Sequence, residues 1–445
     1  MRKPAANRDD GRMNEAAELL SPAGEELLAL LGGLDVTPEV ALRLGDQLRR
    51  QYPAGLVAAA LTQQSLRIAG REKFSRADEM FFTRAGLEQA SAEVVAAHSA
   101  LRFANTTGRV ADLCCGIGGD LIALAAASRG SVPGGDADGR GAAQGHGDWV
   151  TPAASDASAR VVAVDADPDV LEFAVRNLAV YGHGGVSAVC ADVHDLDLTG
   201  IEAIFIDPAR RTGRRRLRTG DSEPPLDWCF TLADRVPRVC IKAAPGVAHE
   251  LVPADWEMEF VATGRALKEA LLWSAEFATT TRRATVLTSG AGSGEGQDEG
   301  DGLAATVATL VAGDGPSLLV SEPGEFLLDP NPAVTRAGLV AELGREVGGW
   351  QIDPMIAFLS LDRPVRTPFA RTLRVIASLP WHERDVSRTL RELGVGSADI
   401  RRRGLAGDVE QIRRRLRLEG DRSAVIALTR RDDRPWCLIC EPVPG

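Results

Sequence analysis

Four stretches of this chain end in residues able to do chemistry. The run Asp112-Leu113-Cys114-Cys115-Gly116-Ile117-Gly118-Gly119-Asp120 follows Val110-Ala111 and precedes the apolar Leu121-Ile122-Ala123-Leu124-Ala125. Glycines at a strand-to-helix turn let the backbone come close to a ligand and leave the helix N-terminal N–H groups available. Asp112, Gly116, Gly118 and Gly119 are therefore candidate contacts to a nucleotide-like ligand. Asp165 closes Val161-Val162-Ala163-Val164, where a carboxylate at a strand tip can accept hydrogen bonds from both ribose hydroxyls. Asp192 closes Ala188-Val189-Cys190-Ala191 and could accept an adenine amine. In Ile204-Phe205-Ile206-Asp207-Pro208-Ala209-Arg210-Arg211 the strand ends in Asp-Pro. A side-chain oxygen and a carbonyl oxygen at that lip can take hydrogen bonds from an amine and orient its lone pair for group transfer to nitrogen. Six cations follow at once, Arg210, Arg211, Arg214, Arg215, Arg216 and Arg218. Their place beside the lip favours phosphate contact over a merely solvated loop, and the Arg210 guanidinium could also stack on a base.

The elements that must position these residues are legible from Arg109 onward. Short β-branched runs at 110–113, 161–164, 186–189, 203–206 and 239–241 suit buried strands, and helical stretches at 121–127, 168–181 and 226–235 fit between them. The alternation implies a doubly wound, Rossmann-like α/β sheet. Residues 267–273 and 283–288 could add two strands, and 387–393 and 408–416 read as helices of a small C-terminal α/β module. Gly119 and Asp165 are 46 residues apart, against the usual ~20. Residues 130–159 carry seven Gly and no apolar period, so they read as a surface insert, and removing them restores an ordinary crossover. Residues 289–302, with six Gly in fourteen, read as a second insert. The first hundred residues are mostly helical in pattern.

A dinucleotide fold and a methyltransferase fold share the glycine turn and the strand-end acid, and the third and fourth motifs separate them. All four in this order resemble the class I S-adenosylmethionine-dependent methyltransferases. The resemblance narrows with Phe81-Phe82-Thr83-Arg84-Ala85-Gly86-Leu87-Glu88-Gln89-Ala90-Ser91, Asp207-Pro208-Ala209-Arg210-Arg211, Asp353-Pro354-Met355-Ile356-Ala357-Phe358-Leu359, Arg401-Arg402-Arg403-Gly404 and Arg413-Arg414-Arg415-Leu416-Arg417-Leu418. Together these look like a bacterial group of RNA methyltransferases, distantly similar to trimethylguanosine synthase, with a C-terminal THUMP-like domain. The resemblance covers roughly residues 74–442 apart from the two inserts. It implies S-adenosyl-L-methionine as cofactor, Asp207, Pro208 and Arg210 as the catalytic lip, and a structured RNA, tRNA or rRNA, methylated at a base nitrogen. This chain departs from the Asp-Pro-Pro-aromatic pattern at Ala209 and Arg210, so the usual aromatic platform for a flipped base is missing.

Length and charge bound the rest. At 445 residues the chain holds two or three domains. Its 44% hydrophobic and 25% charged fractions exclude wholesale disorder and a disulfide scaffold. The net charge of −11 argues against a polyanionic partner until it is divided: residues 363–436 hold 18 Arg against 10 Asp plus Glu, a local +8 that leaves −19 elsewhere. Arg401, Arg402, Arg403, Arg413, Arg414 and Arg415 on that basic module, with Arg211, Arg214, Arg215 and Arg216 by the lip, are candidate RNA contacts. Seven cysteines without framework spacing fit reduced thiols, and with no apolar run of ~20 residues and no secretory leader, the expected location is the cytoplasm, away from any membrane. The six His show no ligand spacing, so no metal is expected. Cys437-Leu438-Ile439-Cys440 reads as buried strand, Cys114 and Cys115 as small core residues, and Lys242 as a surface lysine at least as readily as an active-site one. The expected division is a helical region at 1–103, a methyltransferase domain at 104–320 with inserts at 130–159 and 289–302, a connecting region at 321–369, and a basic THUMP-like domain at 370–445. Two rivals stand beside the RNA methyltransferase reading: a small-molecule methyltransferase, which leaves the +8 module unexplained, and a non-catalytic RNA-binding protein that keeps the fold.

Overall fold

A computed structural model describes residues 17–129, 159–209, 211–212, 215–216, 222–289, 305–405 and 407–443. Most of both expected inserts, with Arg210, Arg214 and Arg218, lie outside the described residues. The chain divides into two compact units, Met1–Ala243 with Trp273–Phe277, and Ala244–Leu272 with Ala278–Gly445.

The first unit starts with helices α1 (Pro22–Leu31), α2 (Pro38–Leu48) and α3 (Ala54–Gly70). Proline at the first position of α1 and α2 has its φ preset for a helix, and Ser21 and Thr37 cap them by accepting from Gly24 N and Val40 N. Their apolar faces meet around Leu27, Leu31, Val57 and Ala60. Short helices α4 (Arg84–Gln89) and α5 (Glu93–Ala100) follow. Then come β1 (Arg109–Leu113), α6 (Gly119–Arg129), β2 (Val161–Asp165), α7 (Pro168–Val180), β3 (Val186–Cys190) and β4 (Ile201–Ile206). The two-residue strands β5 (Arg211–Thr212) and β6 (Arg215–Arg216) pair antiparallel, α8 spans Leu226–Thr231 and β7 spans Arg238–Ala243. Strands lie in the order β7-β4-β1-β2-β3, and every pair in that order is parallel. The chain order reverses between β1 and β4, which makes the C-terminal ends of these strands a topological switch point.

In the second unit β8 (Glu257–Thr263), β9 (Ala266–Trp273), β10 (Arg282–Ser289) and β11 (Ala305–Val311) are ordered β11-β10-β8-β9. A further sheet holds β12 (Phe326–Pro330), β13 (Trp350–Gln351), β14 (Leu359–Leu361), β15 (Ala370–Pro380), β16 (Val395–Arg402), β17 (Arg422–Arg431) and β18 (Arg434–Pro442), ordered β13-β14-β12-β15-β18-β17-β16. Residues 321–369, expected as a connecting region, therefore supply three strands to the same sheet as the C-terminal module. β12 is buried at every position and β13 and β14 have two and three residues, so none shows the alternation by which a strand is recognised. Helices α9 (Pro332–Ala337) and α10 (Val340–Val347) follow β12, while α11 (Glu383–Glu392) and α12 (Val409–Leu416) pack Val386, Leu390 and Leu416 onto Ile400, Ile426 and Ile439. Cys437 and Cys440 lie buried in β18 as free thiols, and burial pushes the Cys440 thiol up to about 12. No helix among the described residues is long and apolar enough to cross a membrane.

Candidate active site

At the end of β1 the chain turns through left-handed backbone at Cys114 (φ 60°), Gly116 (φ 56°) and Gly118 (φ 88°) before α6 begins. A Cβ at Gly118 would lie 3.2 Å from Ala174 Cα, so glycine is needed there for α7 to pack against the turn. A Cβ at Gly116 would meet nothing within 4 Å, because that side of the turn faces open space. Fully buried Asn177 of α7 ties the turn to the segment before α4. It accepts from Phe81 N at 2.7 Å and donates to Phe81 O and Ile117 O, each at 2.9 Å.

The turn forms one wall of a cleft of about 370 Å³, within the range of small-molecule sites. Cys114, Gly116, Gly119, Asp165, Asp192, Asp207 and Ala209 line it, so the candidates from four different strand ends do converge. Thr83, Gly86 and Gln89 close another side. The 81–91 segment was informative in the sequence only as part of a resemblance; here it has a place. Thr83 caps α4 by accepting from Gly86 N at 2.9 Å, and a Cβ on Gly86 would strike Ile117 at 2.5 Å.

The acidic residues differ in environment. Asp165 Oδ2 accepts from Gly116 N at 3.0 Å and its Oδ1 from Asp167 N at 2.9 Å. It therefore braces the turn as well as facing the cleft, a structural duty that the strand-tip position did not announce. Burial pushes its carboxyl up while those N–H donors pull it down, and burial prevails. Asp192 is exposed and accepts from His194 N at 3.0 Å and interacts with His194 Nδ1 at 2.7 Å, which lowers its carboxyl below the usual range. Asp112 is only 1% exposed, and neither of its carboxylate oxygens has a hydrogen-bond partner among the described residues. Burial first, then Asp120 and Asp207, pushes it well above the usual carboxylate range. A nucleoside with a cationic amino-acid tail suits this set: an open glycine turn, a carboxylate at the strand tip and an unsatisfied buried carboxyl group.

Sequence reasoning left Lys242 between the surface and the active-site edge; the structure places it at the latter. Its side chain is 2% exposed, and Nζ bonds Asp120 Oδ2 at 2.8 Å and Asp207 Oδ2 at 2.7 Å. The available signal was Val239-Cys240-Ile241 itself: Lys242 continues a parallel strand buried on both faces, where a lysine has no route to water. Glu223 and Pro224 also line the cleft and were not foreseen. Ala209 and Glu223 exchange backbone hydrogen bonds of 2.8 and 2.9 Å, so the arginine-rich excursion between them leaves and returns at the lip. Within it Arg211, Arg215 and Arg216 belong to the β5–β6 pair.

The C-terminal arginines separate into two sets. Arg403 bonds Asp329 Oδ1 at 3.0 Å, reaches Thr335 and Pro330, and lies 5.1 Å over the Phe358 ring. Arg401 bonds Asp399 and lies 3.9 Å from Asp329. Both are candidate RNA contacts; the buried carboxylate of Asp329 holds Arg403 and stands 3.9 Å from Arg401, whose side chain is 42% exposed. Arg402 donates to Leu405 O, and Arg413 donates to Ala398 O and pairs with Glu410. Arg414 and Arg415 stand exposed on α12, Arg415 within 3.8 Å of Glu383.

Comparison with known proteins agrees with this geometry. A family model described as THUMP domain-like matches residues 370–442, and one for a domain of unknown function matches 12–69. Two Mycobacterium tuberculosis proteins, from strains CDC 1551 / Oshkosh and H37Rv and described as uncharacterized S-adenosylmethionine-dependent methyltransferases, are 34% identical over 361 residues, 79% of this chain and 85% of theirs. The solved structure of a Porphyromonas gingivalis W83 protein assigned as a methyltransferase superposes with a TM-score of 0.62 at 18% identity, covering 94% of this chain and 99% of that one. The glycine turn, the convergent strand-end acids and the identity to these relatives place the chain in the family of S-adenosylmethionine-dependent methyltransferases, with a THUMP-like domain at its C-terminus.

Proposed function

We propose that the chain methylates a base nitrogen in structured RNA, tRNA or rRNA. The observation that carries this is the place of Asp207: it directly follows β4 and lines the same cleft as the glycine turn and Asp165, with its carboxylate fixed by Lys242. When bound, the cofactor supplies an electrophilic methyl group on a sulfonium. Gly116 and Gly119 would give it backbone room while Gly118 lets α7 pack behind them, Asp165 would hold the ribose, Asp192 would meet the adenine edge, and Asp112 lies buried behind the turn. Asp207 accepts a hydrogen bond from the acceptor N–H, and the Pro208 carbonyl takes a second, so the nitrogen lone pair points at the methyl carbon. Arg210 and the arginines that follow it hold the phosphates that flank the acceptor. The +8 module, where the THUMP-like match lies, supports RNA over a small molecule, with the exposed Arg414 and Arg415 as its phosphate contacts.

Incubation with labelled cofactor and total RNA from a deletion strain, followed by nucleoside mapping, tests the reading. Label at a base nitrogen of one RNA class supports it. Label only in small molecules favours the small-molecule rival. Cofactor binding with no transfer to any RNA favours the non-catalytic one.

A further inference from the structure

We propose that Lys242 is a positioning residue for methyl transfer: its ammonium, bonded at once to Asp207 at the acceptor lip and to Asp120 at the start of α6, keeps Asp207 ionised and fixed relative to the cofactor turn. The inference rests on the reading that Asp207 orients the acceptor nitrogen.

The sheet register builds the contact. β4 and β7 are paired with Ile206 opposite Ile241, so the next residue of each strand's path, Asp207 and Lys242, fall side by side. Asp120 reaches the same ammonium from the second position of α6. A lysine 2% exposed is strongly unfavourable unless paired, and here it is paired twice, with both partners nearly or partly shielded from water. The groups facing it are mostly acidic. Asp112 at the end of β1 senses Asp120, Asp207 and Asp165 as like charges and Lys242 as the opposing one. Cys114, on the turn, also senses Asp165, Asp207 and Asp112.

Carboxyl groups crowded this way cannot all ionise without a countercharge, and one of them retains a proton. A proton on Asp207 would occupy an oxygen needed to accept the acceptor N–H. Lys242 opposes that outcome through a direct ion pair, and a carboxylate has lone-pair sites enough to serve both partners. Its bond to Asp120 sets where the carboxylate stands relative to the glycine turn, so one side chain couples acceptor alignment to the cofactor wall. It touches neither reactant and acts through Asp207.

The test compares the full chain with Lys242→Met and Lys242→Gln. Titration calorimetry with S-adenosylmethionine in buffers of different ionisation enthalpy counts protons exchanged on binding. Loss of the ammonium should let the carboxyl cluster take up a proton that the cationic cofactor then displaces, so both variants should release about half a proton or more beyond the parent at pH 7. Displacing that proton raises the cofactor KM, so methyl transfer to total RNA at limiting cofactor should fall roughly tenfold at pH 7 and recover toward pH 9, with the parent flat over that range. If Lys242→Met does not fold, the Gln variant, which keeps donors without charge, carries the comparison. Equal proton release and parallel pH profiles would overturn the proposal and leave Lys242 a packing residue. Absence of any RNA labelling by the parent would instead defeat the RNA reading, while the proton count would still decide the role of Lys242.

Discussion

The cleft of the first unit and the arginine-rich sheet of the second are both dense in charge, with opposite arrangements. Beside the cleft Lys242 stands buried among Asp112, Asp120 and Asp207, which parallel strand ends and one helix start bring together. In the C-terminal sheet Asp329, 1% exposed, is surrounded by Arg265, Arg401 and Arg403. In each, the minority charge organises the cluster. A motif names the majority residues, but only the fold shows which of them the minority residue has engaged and which remain for a ligand.

The sharpest way to break this comparison is to remove a residue proposed to act on the substrate. Asp207→Asn should lower methyl transfer by about a thousandfold, within the ~10²–10⁴ typical of such positioned groups, with cofactor affinity within a few-fold. Initial rates with labelled cofactor and RNA, alongside calorimetry, check it. Next in size, Asp329→Ala should destabilise the protein by about 3 kcal/mol. It leaves Arg265 and Arg403 without their buried partner, and the figure sits at the low end because both guanidiniums keep some contact with water. Denaturant unfolding reads it directly. Asp165→Ala should weaken cofactor binding roughly a hundredfold. Because Asp165 also accepts from Gly116 and Asp167, the same variant should lose about 1–3 kcal/mol of stability, which a ribose-only role would not cause.

A smaller effect follows from pH. Burial lifts the Asp112 carboxyl above its unfolded value, so the native state holds a proton that the unfolded chain has released. Stability should fall as pH rises from the unfolded value through the folded one. Asp112→Asn should remove that slope, and unfolding measured at pH 6 and pH 9 should show a gap that shrinks in the variant. Smallest is Arg414→Gln with Arg415→Gln, which should weaken RNA binding several-fold and flatten its logarithmic salt slope by about 0.7 per arginine for single strands. Arg401→Gln with Arg403→Gln should chiefly cost stability. An equal salt effect from both pairs would erase the distinction drawn between them.

Much of the site was legible because strand-end motifs carry their own geometry. Asp165 closes a β-branched run and Asp207 directly follows another, and a parallel sheet places such ends along one edge. The wide interval from Gly119 to Asp165 did not obscure the pairing of β1 with β2. Lys242 was left undecided because a lone lysine carries no pattern, and its burial depends on Asp120, 122 residues away in the chain. The pairing of Arg403 was hidden for the same reason: Asp329 reaches it from β12, 74 residues earlier, and local charge counting has no access to such pairings. Strands β13 and β14 escaped notice because elements of two and three residues show no period.

The central claim is that Asp207 aligns an RNA base nitrogen against the methyl of a cofactor held on the glycine turn. One side-by-side measurement tests it most directly: transfer of labelled methyl to total RNA by the parent and by Asp207→Asn, at cofactor concentrations saturating for both. The account predicts label in a base nitrogen of a defined RNA with the parent, and its loss by about a thousandfold in the variant while cofactor binding persists. Transfer to RNA at the parental rate by Asp207→Asn would contradict it.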